Sequence, residues 1–248
     1  MKLENYLSES PQKTISIVVE ELKTYTTKFF VDIGASNVTN SSQTEQLIPM
    51  GWGGILFECD EKKYPSLQQR YEKNKNVTVI PKKVTPNNIL DFLEKNNTPN
   101  DFYLSLDIDG YDYFVLDKIL SMYKPSMILS EINEKIPPPF KFTVEYDENY
   151  WWDGTHFYGY SISMLENLLI KYGYKIMFLH YNNVCLVPGK HEGDLKKIYE
   201  DGYLNAPLTK NYFSYNDAFK IVGTNDLEKL NFINNFFISK KGKYHLSI

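Results

Sequence analysis

The feature that most constrains this chain is an alternation of short apolar runs with amphipathic stretches between residues 29 and 132. The apolar runs are Phe29–Ile33, Gly54–Glu58, Val77–Ile80, Phe102–Ile108 and Ser126–Ile132. The amphipathic stretches between them are Thr44–Trp52, Tyr64–Asn74, Asn87–Asn96 and Tyr113–Tyr123. This pattern is typical of an α/β fold with a doubly wound, mostly parallel sheet and helices on both faces. Such sheets bind ligands at the carboxyl ends of their strands, so residues there are the candidate site.

The rest of the chain is predicted to extend this core within one domain, residues 1–248. Residues 1–28 are predicted to form an N-terminal helical segment, residues 29–189 the core, and residues 190–248 a C-terminal extension. The extension has weak periodicity. It either wraps the active site or forms the interface of a homo-oligomer.

Within the core, the alternation stops at the proline run 137–139, because proline joins neither a sheet ladder nor a helix interior. The aromatic stretch that follows, through residue 159, is predicted to be a loop or lid. A helix is predicted to start near Ser163, with Glu166 at capping-box spacing, and to stop at Gly173. A closing hairpin is predicted from the runs Lys175–His180 and Val184–Val187, with Asn182 and Asn183 at its turn.

Composition narrows the class of protein. With 42% hydrophobic residues, the chain can bury a sizeable core. The net charge is −4 and Arg70 is the single arginine, which argues against nucleic-acid binding because that function needs a basic surface. Cys59 and Cys185 lie in apolar runs and are predicted to be buried free thiols. We expect a cytoplasmic protein without a membrane span, since the start lacks signal-peptide features and no apolar run approaches about 20 residues.

Two strand ends carry residues suited to a nucleotide. The first run leads into VDIGAS (residues 31–36), where Gly34 allows a tight turn and an acid can accept hydrogen bonds from a ligand. The second run ends in an acidic segment, and an acid there holds a ribose diol in nucleotide-binding α/β folds. Glu58 is the first candidate for this role and Asp60 the second. The structural alternatives are a plain turn at Gly34 and a solvated acidic loop at Glu58.

The next two apolar runs both end in acidic or amide side chains. Asp107 and Asp109 are one strand alternation apart, and Glu131 and Asn133 repeat this spacing on the following run. Adjacent strands lie about 5 Å apart, so these four oxygen-bearing side chains can converge. Mg²⁺ or Mn²⁺ would relieve the repulsion between the carboxylates, or one carboxylate is a general base. The structural alternative is a turn at Asp109 and a loop carboxylate at Glu131.

His156 is the remaining candidate for proton transfer. It lies in WDGTHFYG (residues 152–159), an aromatic segment punctuated by glycine. It is predicted to be a general base or a metal ligand, and the alternative is a purely structural histidine. The aromatic rings around it suit stacking on a base or a sugar.

Together these segments resemble class I S-adenosylmethionine-dependent methyltransferases of the FkbM-like kind. The resemblance covers roughly residues 28–187 and rests on VDIGAS (31–36), ILFECDEKK (55–63), SLDIDGYDYFVL (105–116) and MILSEIN (127–133). The chain departs from the usual pattern in two places. Gly34 is the single glycine left in the first loop, and the sequence DIDG (residues 107–110) replaces the more common DVEG.

The resemblance implies a Rossmann-like fold and a cofactor, S-adenosylmethionine, at the strand ends. The cofactor contacts that it implies are Asp32, Gly34, Ala35, Ser36, Glu58, Cys59 and Asp107. It places Asp107 beside the methyl group and Glu131 at the end of the fifth strand. With the strand-end pattern described above, Asp107, Asp109 and Glu131 are the predicted catalytic groups, as base or metal ligands, and His156 is the alternative base. The same acids with Asn133 are the predicted ligands of Mg²⁺ or Mn²⁺.

The expected function is therefore methyl transfer to a sugar hydroxyl. The segments also resemble enzymes that O-methylate sugars for capsule or surface polysaccharide, so the expected substrate is a nucleotide-linked sugar. Two alternatives stay open. One is a nicotinamide-dependent oxidoreductase, which the missing glycine fingerprint disfavours. The other is a non-catalytic binding module that uses the same fold.

Overall fold

A computed structural model describes residues 27–36, 44–206 and 223–248. The predicted N-terminal helix lies outside these residues except for its last two positions. In the described ranges, no helix combines the length and the apolar character needed to cross a bilayer.

The centre of the fold is a seven-stranded sheet, and a two-stranded sheet lies beside it. The strands are β1 Phe29–Ile33, β2 Gly53–Phe57, β3 Val77–Ile80, β4 Tyr103–Leu106, β5 Met127–Glu131, β6 Lys141–Val144, β7 Tyr174–His180, β8 Asn183–Pro188 and β9 Tyr244–Ser247. The helices are α1 Tyr64–Tyr71, α2 Ile89–Lys95, α3 Asp112–Leu120, α4 Ile162–Tyr172, α5 Leu195–Tyr199 and α6 Asp226–Phe236. A 3₁₀ helix at Glu45–Met50 joins β1 to β2.

The strand order of the large sheet is β3-β2-β1-β4-β5-β8-β7. The first five strands in this order are parallel, while β8 is antiparallel to both β5 and β7. The doubly wound, mostly parallel, Rossmann-like sheet expected for a class I methyltransferase is therefore confirmed. The predicted apolar runs lie within one to two residues of the observed strands.

The strands form where they do because both faces of the sheet are covered. Val31 and Ile33 pack in a large cluster on one face, while Phe30 and Leu56 pack in a second cluster on the other. Strands covered on both faces are read in sequence as continuous apolar runs rather than as alternating ones. This explains why the runs were visible in the sequence.

Two predictions outside the sheet need adjustment. The segment after the prolines was predicted to be a loop or lid through residue 159. Residues 145–159 form neither helix nor strand, but Lys141–Val144 form strand β6, which pairs antiparallel with β9. The α4 helix begins at Ile162, close to the predicted start near Ser163, but its N-cap is Ser161 rather than Ser163, and the Ser161 hydroxyl accepts from the backbone N–H of Met164. The predicted stop at Gly173 is confirmed, with φ at 73°.

The topology determines where a ligand site can form. From β1 the chain moves outward through β2 and β3, and then returns to β4 and β5 on the other side of β1. Such a reversal of strand order leaves a crevice between the carboxyl ends of β1 and β4, which is the usual ligand site of doubly wound sheets.

Candidate active site

A cleft with a volume of about 310 Å³ opens at this reversal point. Its walls come from the segments that follow β1, β2, β3 and β4, and from a loop of residues 145–156 that we call the lid loop. The lining residues include Gly34, Ser36, Glu58, Cys59, Asp107 and Asp109. These are six of the residues that the sequence predicted to serve the site.

Gly34 brings the ends of β1 and β4 together. Its φ is 89°, and a Cβ built there would lie 1.7 Å from the carbonyl oxygen of Asp107. The backbone N–H groups of Gly34 and Ala35 both donate to the carbonyl of Phe57 at 3.0 Å. Only glycine fits this conformation and this close approach. The turn therefore fixes β1, β2 and β4 relative to one another at the floor of the cleft.

The two residues that follow Gly34 lie in different environments. Ser36 lines the cleft, with φ at 59°. The Ala35 side chain is buried in the core cluster beneath the sheet instead. Asp32 is buried within β1 and accepts a hydrogen bond of 2.6 Å from the hydroxyl of Thr44. It is not among the cleft-lining residues. No feature of the local sequence marks Thr44 as its partner.

Glu58 follows β2 and lines the cleft, as predicted for a group that holds a ribose. One of its oxygens accepts from the backbone N–H of Asp60 at 2.8 Å, which fixes the carboxylate at the strand end. Cys59 beside it is a free thiol. Burial raises the pKa of the Cys59 thiol, and the negative charge of Glu58 raises it further. The thiol is therefore a neutral part of the wall.

Three carboxyl groups meet at the ends of β4 and β5. One oxygen from each of Asp107, Asp109 and Glu131 lies within 4.8 Å of the other two. We call this set the acidic cluster. Glu131 is only 8% exposed, and its Oε2 has no hydrogen-bond partner among the described residues. An unpartnered buried carboxylate oxygen is costly unless a proton or a cation reaches it.

The electrostatics of the acidic cluster favour bound protons or a bound cation. Burial, followed by the charge of Asp109, raises the pKa of Asp107 to about 8. Burial and the charge of Asp107 raise the pKa of Glu131 well above its usual range. Burial also raises the pKa of Asp109, although the positive charge of Lys63 opposes this. Near neutral pH the cluster therefore retains at least one proton unless a cation replaces it.

Asp112 organises the turn that presents Asp109. Its carboxylate is buried and accepts from the backbone N–H groups of Ile108 and Gly110, both at 2.9 Å. Asp109 between them has φ at 53°, a left-handed conformation that aspartate tolerates better than most residues. Asp112 was not among the predicted site residues. The sequence signal that could have identified this residue is an acid at the first position of a helix that follows a turn containing glycine.

Asn133 and His156 lie apart from the cleft-lining residues. The amide nitrogen of Asn133 donates to the carbonyls of His156 and Tyr158, both at 2.9 Å, and its oxygen accepts from the N–H of Lys135. These hydrogen bonds connect the segment after β5 to the end of the lid loop and the residues directly after it. The His156 ring stacks on Phe236 with centroids 5.9 Å apart. A ligand role for Asn133 and a base role for His156 stay predictions.

Lys83 fastens the lid loop to the end of β3. Its ammonium donates to the carbonyls of Glu148 and Tyr150 at 2.7 and 2.6 Å. It also lies 4.6 Å from the ring centroid of Trp151, within the range of a cation–π contact. Burial lowers the pKa of Lys83. This lysine was not singled out by the sequence analysis, because its partners are backbone atoms about 65 residues away.

Comparison with known proteins adds three solved structures of low similarity. No family model and no curated protein sequence matches this chain. The citrinin polyketide synthase CMeT domain is 9% identical with a TM-score of 0.44, and the match covers 73% of this chain and 52% of that one. This chain thus spans about half the length of that protein.

Two further similar structures are matched over more of their length. Magnesium protoporphyrin IX methyltransferase (ChlM) from Synechocystis PCC 6803 with bound SAM is 12% identical with a TM-score of 0.43, covering 72% of this chain and 79% of that one. The N-terminal domain of EvdMO1 in the presence of SAH and D-fucose is 12% identical with a TM-score of 0.44, covering 74% and 84%. Similarity this low does not extend any activity to this chain.

Proposed function

We propose that this chain is an S-adenosylmethionine-dependent O-methyltransferase that acts on the hydroxyl of a nucleotide-activated sugar for capsule or surface polysaccharide. The observation that carries the proposal is the meeting, in one cleft, of Glu58 with two acids of the acidic cluster, Asp107 and Asp109. The choice of a sugar rests on the resemblance of the strand-end motifs. The proposal includes a cytoplasmic enzyme with one methyltransferase domain over residues 1–248.

The cofactor side of the cleft offers an acceptor for the ribose of S-adenosylmethionine. One oxygen of Glu58 accepts from the backbone N–H of Asp60, and the second can accept hydrogen bonds from ribose hydroxyls. Gly34 and Ser36 line the same cleft. When bound there, S-adenosylmethionine supplies a methyl group on a sulfonium.

The acidic cluster would accept the proton of the sugar hydroxyl that receives the methyl group. In the transfer, the acceptor oxygen would take the methyl group while the electron pair of the carbon–sulfur bond would stay on sulfur, so residues of this chain would have to accept the hydroxyl proton. The hydroxyl proton passes to a carboxylate. Asp107 and Asp109 are the groups we assign to this step, because both line the cleft, and a member of the acidic cluster that is ionised beside a protonated neighbour can accept the hydroxyl proton. His156 is disfavoured because it packs on Phe236 outside the cleft lining.

The acidic cluster also fits a divalent cation. Its three carboxylate oxygens span at most 4.8 Å, close to the roughly 4 Å between opposite ligands of an octahedral Mg²⁺ site. Oε2 of Glu131 has no hydrogen-bond partner among the described residues and is therefore available as a ligand atom. Bound Mg²⁺ or Mn²⁺ would lower the pKa of the acceptor hydroxyl. Asp107, Asp109 and Glu131 would hold it.

Calorimetric titration with S-adenosylmethionine and with NAD tests the cofactor. We expect S-adenosylmethionine alone to bind, and Glu58→Gln to weaken it by about 10- to 100-fold, the value of hydrogen bonds to a charged group. Glu192→Gln, at an exposed carboxylate paired with Lys190, is the matched control. Binding of NAD instead would favour the oxidoreductase. Binding of neither would favour the non-catalytic module.

Asp109→Asn tests the reaction step. Asparagine adopts the left-handed conformation of this position as readily as aspartate does, so the turn should persist. We expect methyl transfer to nucleotide-sugars, measured by mass spectrometry as a gain of one CH₂, to fall by about 100-fold or more while cofactor still binds. Asp91→Asn, at an exposed position on α2, is the control. Near-normal turnover of Asp109→Asn would contradict the assignment.

Exhaustive chelation separates the two versions of the mechanism. If a cation held by the acidic cluster activates the hydroxyl, we expect activity to disappear with chelator and to return with Mg²⁺ or Mn²⁺. Full activity after chelation would remove the metal from the mechanism and leave the carboxylates as the base. The cofactor titration in the presence of chelator shows whether the loss concerns binding or reaction.

A further inference from the structure

Asn182, in the turn between β7 and β8, forms a hydrogen bond with Glu131. The side-chain N–H of Asn182 donates to Oε1 of Glu131 at 2.5 Å. The carbonyl of Asn182 accepts from the backbone N–H of Ile132 at 2.7 Å. Asn183 in turn donates to the side-chain oxygen of Asn182 at 2.7 Å. One asparagine thus contacts the end of β5 through both its backbone and its amide.

This contact leaves the two oxygens of Glu131 unequal. Oε1 is engaged by Asn182, while Oε2 is buried and has no partner among the described residues. A glutamate has several rotatable bonds, and fixing them requires a contact that outweighs the lost freedom. The hydrogen bond from the Asn182 amide is such a contact. It keeps Glu131 in the arrangement in which it meets Asp107 and Asp109.

The C-terminal extension supports this turn. Tyr181, at the start of the turn, has φ at 59°, and its backbone N–H donates to the carbonyl of Gly202 at 2.9 Å. Gly202 lies in a π-helical turn at Glu200–Leu204 that continues α5. A Cβ on Gly202 would lie 2.3 Å from the carbonyl oxygen of Leu179, so only glycine permits this approach. π-helical turns of this kind occur often at functional sites.

We propose that Asn182 is a positioning residue for Glu131, and that the π-helical turn at Glu200–Leu204 holds Asn182 in place. This gives part of the C-terminal extension a role in the acidic cluster, although it lies about 70 residues beyond Glu131 in the chain. The inference rests on the proposed function for its catalytic meaning. The orientation of Glu131 can be measured independently of any activity.

Asn182→Leu removes the amide and keeps a side chain of similar size. We expect Mn²⁺ binding, followed by electron paramagnetic resonance, to weaken by about 10- to 100-fold, the usual loss when a partner of a metal ligand is removed. The turnover number should fall while the KM for cofactor stays constant. Asn182→Gln keeps the amide and should restore part of the affinity. Asn167→Leu, at an exposed amide that contacts Lys141, should leave both readouts unchanged.

A crystal structure of Asn182→Leu separates this inference from the proposed function. We expect the Glu131 carboxylate to leave its wild-type orientation. A folded variant in which Glu131 keeps that orientation would overturn the proposal. If the wild-type protein does not bind Mn²⁺ but Glu131 moves in the variant, the metal version fails and the positioning role holds.

Gly202→Ala tests the contribution of the extension. The added Cβ must displace the π-helical turn from Leu179, while Asn182 itself is intact. We expect weaker Mn²⁺ binding and an altered Glu131 orientation, in the same direction as Asn182→Leu. A folded Gly202→Ala protein with unchanged Mn²⁺ affinity and unchanged Glu131 would remove the extension from the proposal.

Discussion

At the scale of single residues, the candidate site stores unfavourable electrostatic energy. Asp112 is buried with two backbone donors, yet burial still raises its pKa to about 6. Asp107, Asp109 and Glu131 meet with partners that are mainly other carboxyl groups. A fold that only had to be stable would place apolar side chains there. The carboxyl groups are therefore best explained by a ligand that they serve.

The pH dependence of stability follows from these shifts. The pKa of Asp107 rises from an ordinary value of 3.8 to about 8, and that of Asp112 rises from 3.8 to about 6. The folded state then binds more protons than the unfolded chain between these values. Their contribution to the free energy of unfolding is present below pH 4 and is lost as the pH rises to about 8.

We therefore expect Asp109→Asn to gain stability relative to wild type as the pH rises from about 5 to 8. The variant lacks a carboxylate whose charge raises the pKa of Asp107 and Glu131. The measurement is the urea midpoint of both proteins across this range with chelator present. The difference between the two proteins isolates the acidic cluster from the other ionisable groups. Parallel profiles would contradict the assigned electrostatics.

At the scale of elements, the lid loop is attached by hydrogen bonds and aromatic contacts to the segments that follow β3 and β4. Lys83 donates to two of its carbonyls, and the amide of Asn87 donates to the hydroxyl of Tyr146. Gly110 lies against the ring of Tyr150, where a Cβ would be 2.9 Å from the ring. The lid loop thus covers the acidic turn and the end of β3 at the same time.

Lys83→Met is expected to loosen the lid loop. The substitution removes charged donors worth about 1.5 kcal/mol, which corresponds to roughly tenfold faster hydrogen exchange in residues 145–152. Mass spectrometry of exchanged peptides measures this directly. Lys82→Met is the control, since the neighbouring Lys82 is exposed and contacts no lid carbonyl. Equal protection of the lid loop in both variants would show that other contacts hold it.

Some elements of the fold could be predicted from the sequence alone, and others could not. Strands β1 to β5 were predictable because burial on both faces of the sheet leaves continuous apolar runs in the sequence. The turn at Gly34 was predictable because only glycine fits its conformation. Strand β6 was missed because it is defined by pairing with β9, about 100 residues later. Asn182 was assigned to a turn, but its bond to Glu131 depends on the antiparallel register of β5 and β8. Such long-range pairings leave no periodic signal in the sequence.

At the scale of the whole molecule, the described part of the C-terminal extension packs against the core, and two of its contacts lie near the candidate site. The π-helical turn supports the β7–β8 turn, and α6 with β9 packs on the segment from residue 136 to residue 157. Phe237 is the centre of the second contact. It is 4% exposed, stacks on Phe142 at 5.3 Å and meets Phe157 edge-on at 5.5 Å. The carbonyl of Phe157 accepts from the hydroxyl of Tyr150 in the lid loop.

These contacts make the proposed single domain testable by unfolding. Phe237→Ala should lower the free energy of unfolding by about 3–5 kcal/mol, the cost of an emptied aromatic site. If the extension and the core are one domain, the whole transition shifts as one and hydrogen exchange in residues 150–157 rises with it. Leu227→Ala, at a position of α6 that is 67% exposed, should change stability by less than about 0.5 kcal/mol. Two separate transitions, of which only one responds to Phe237→Ala, would show that the extension folds apart from the core and that its support of the lid loop is dispensable for the fold.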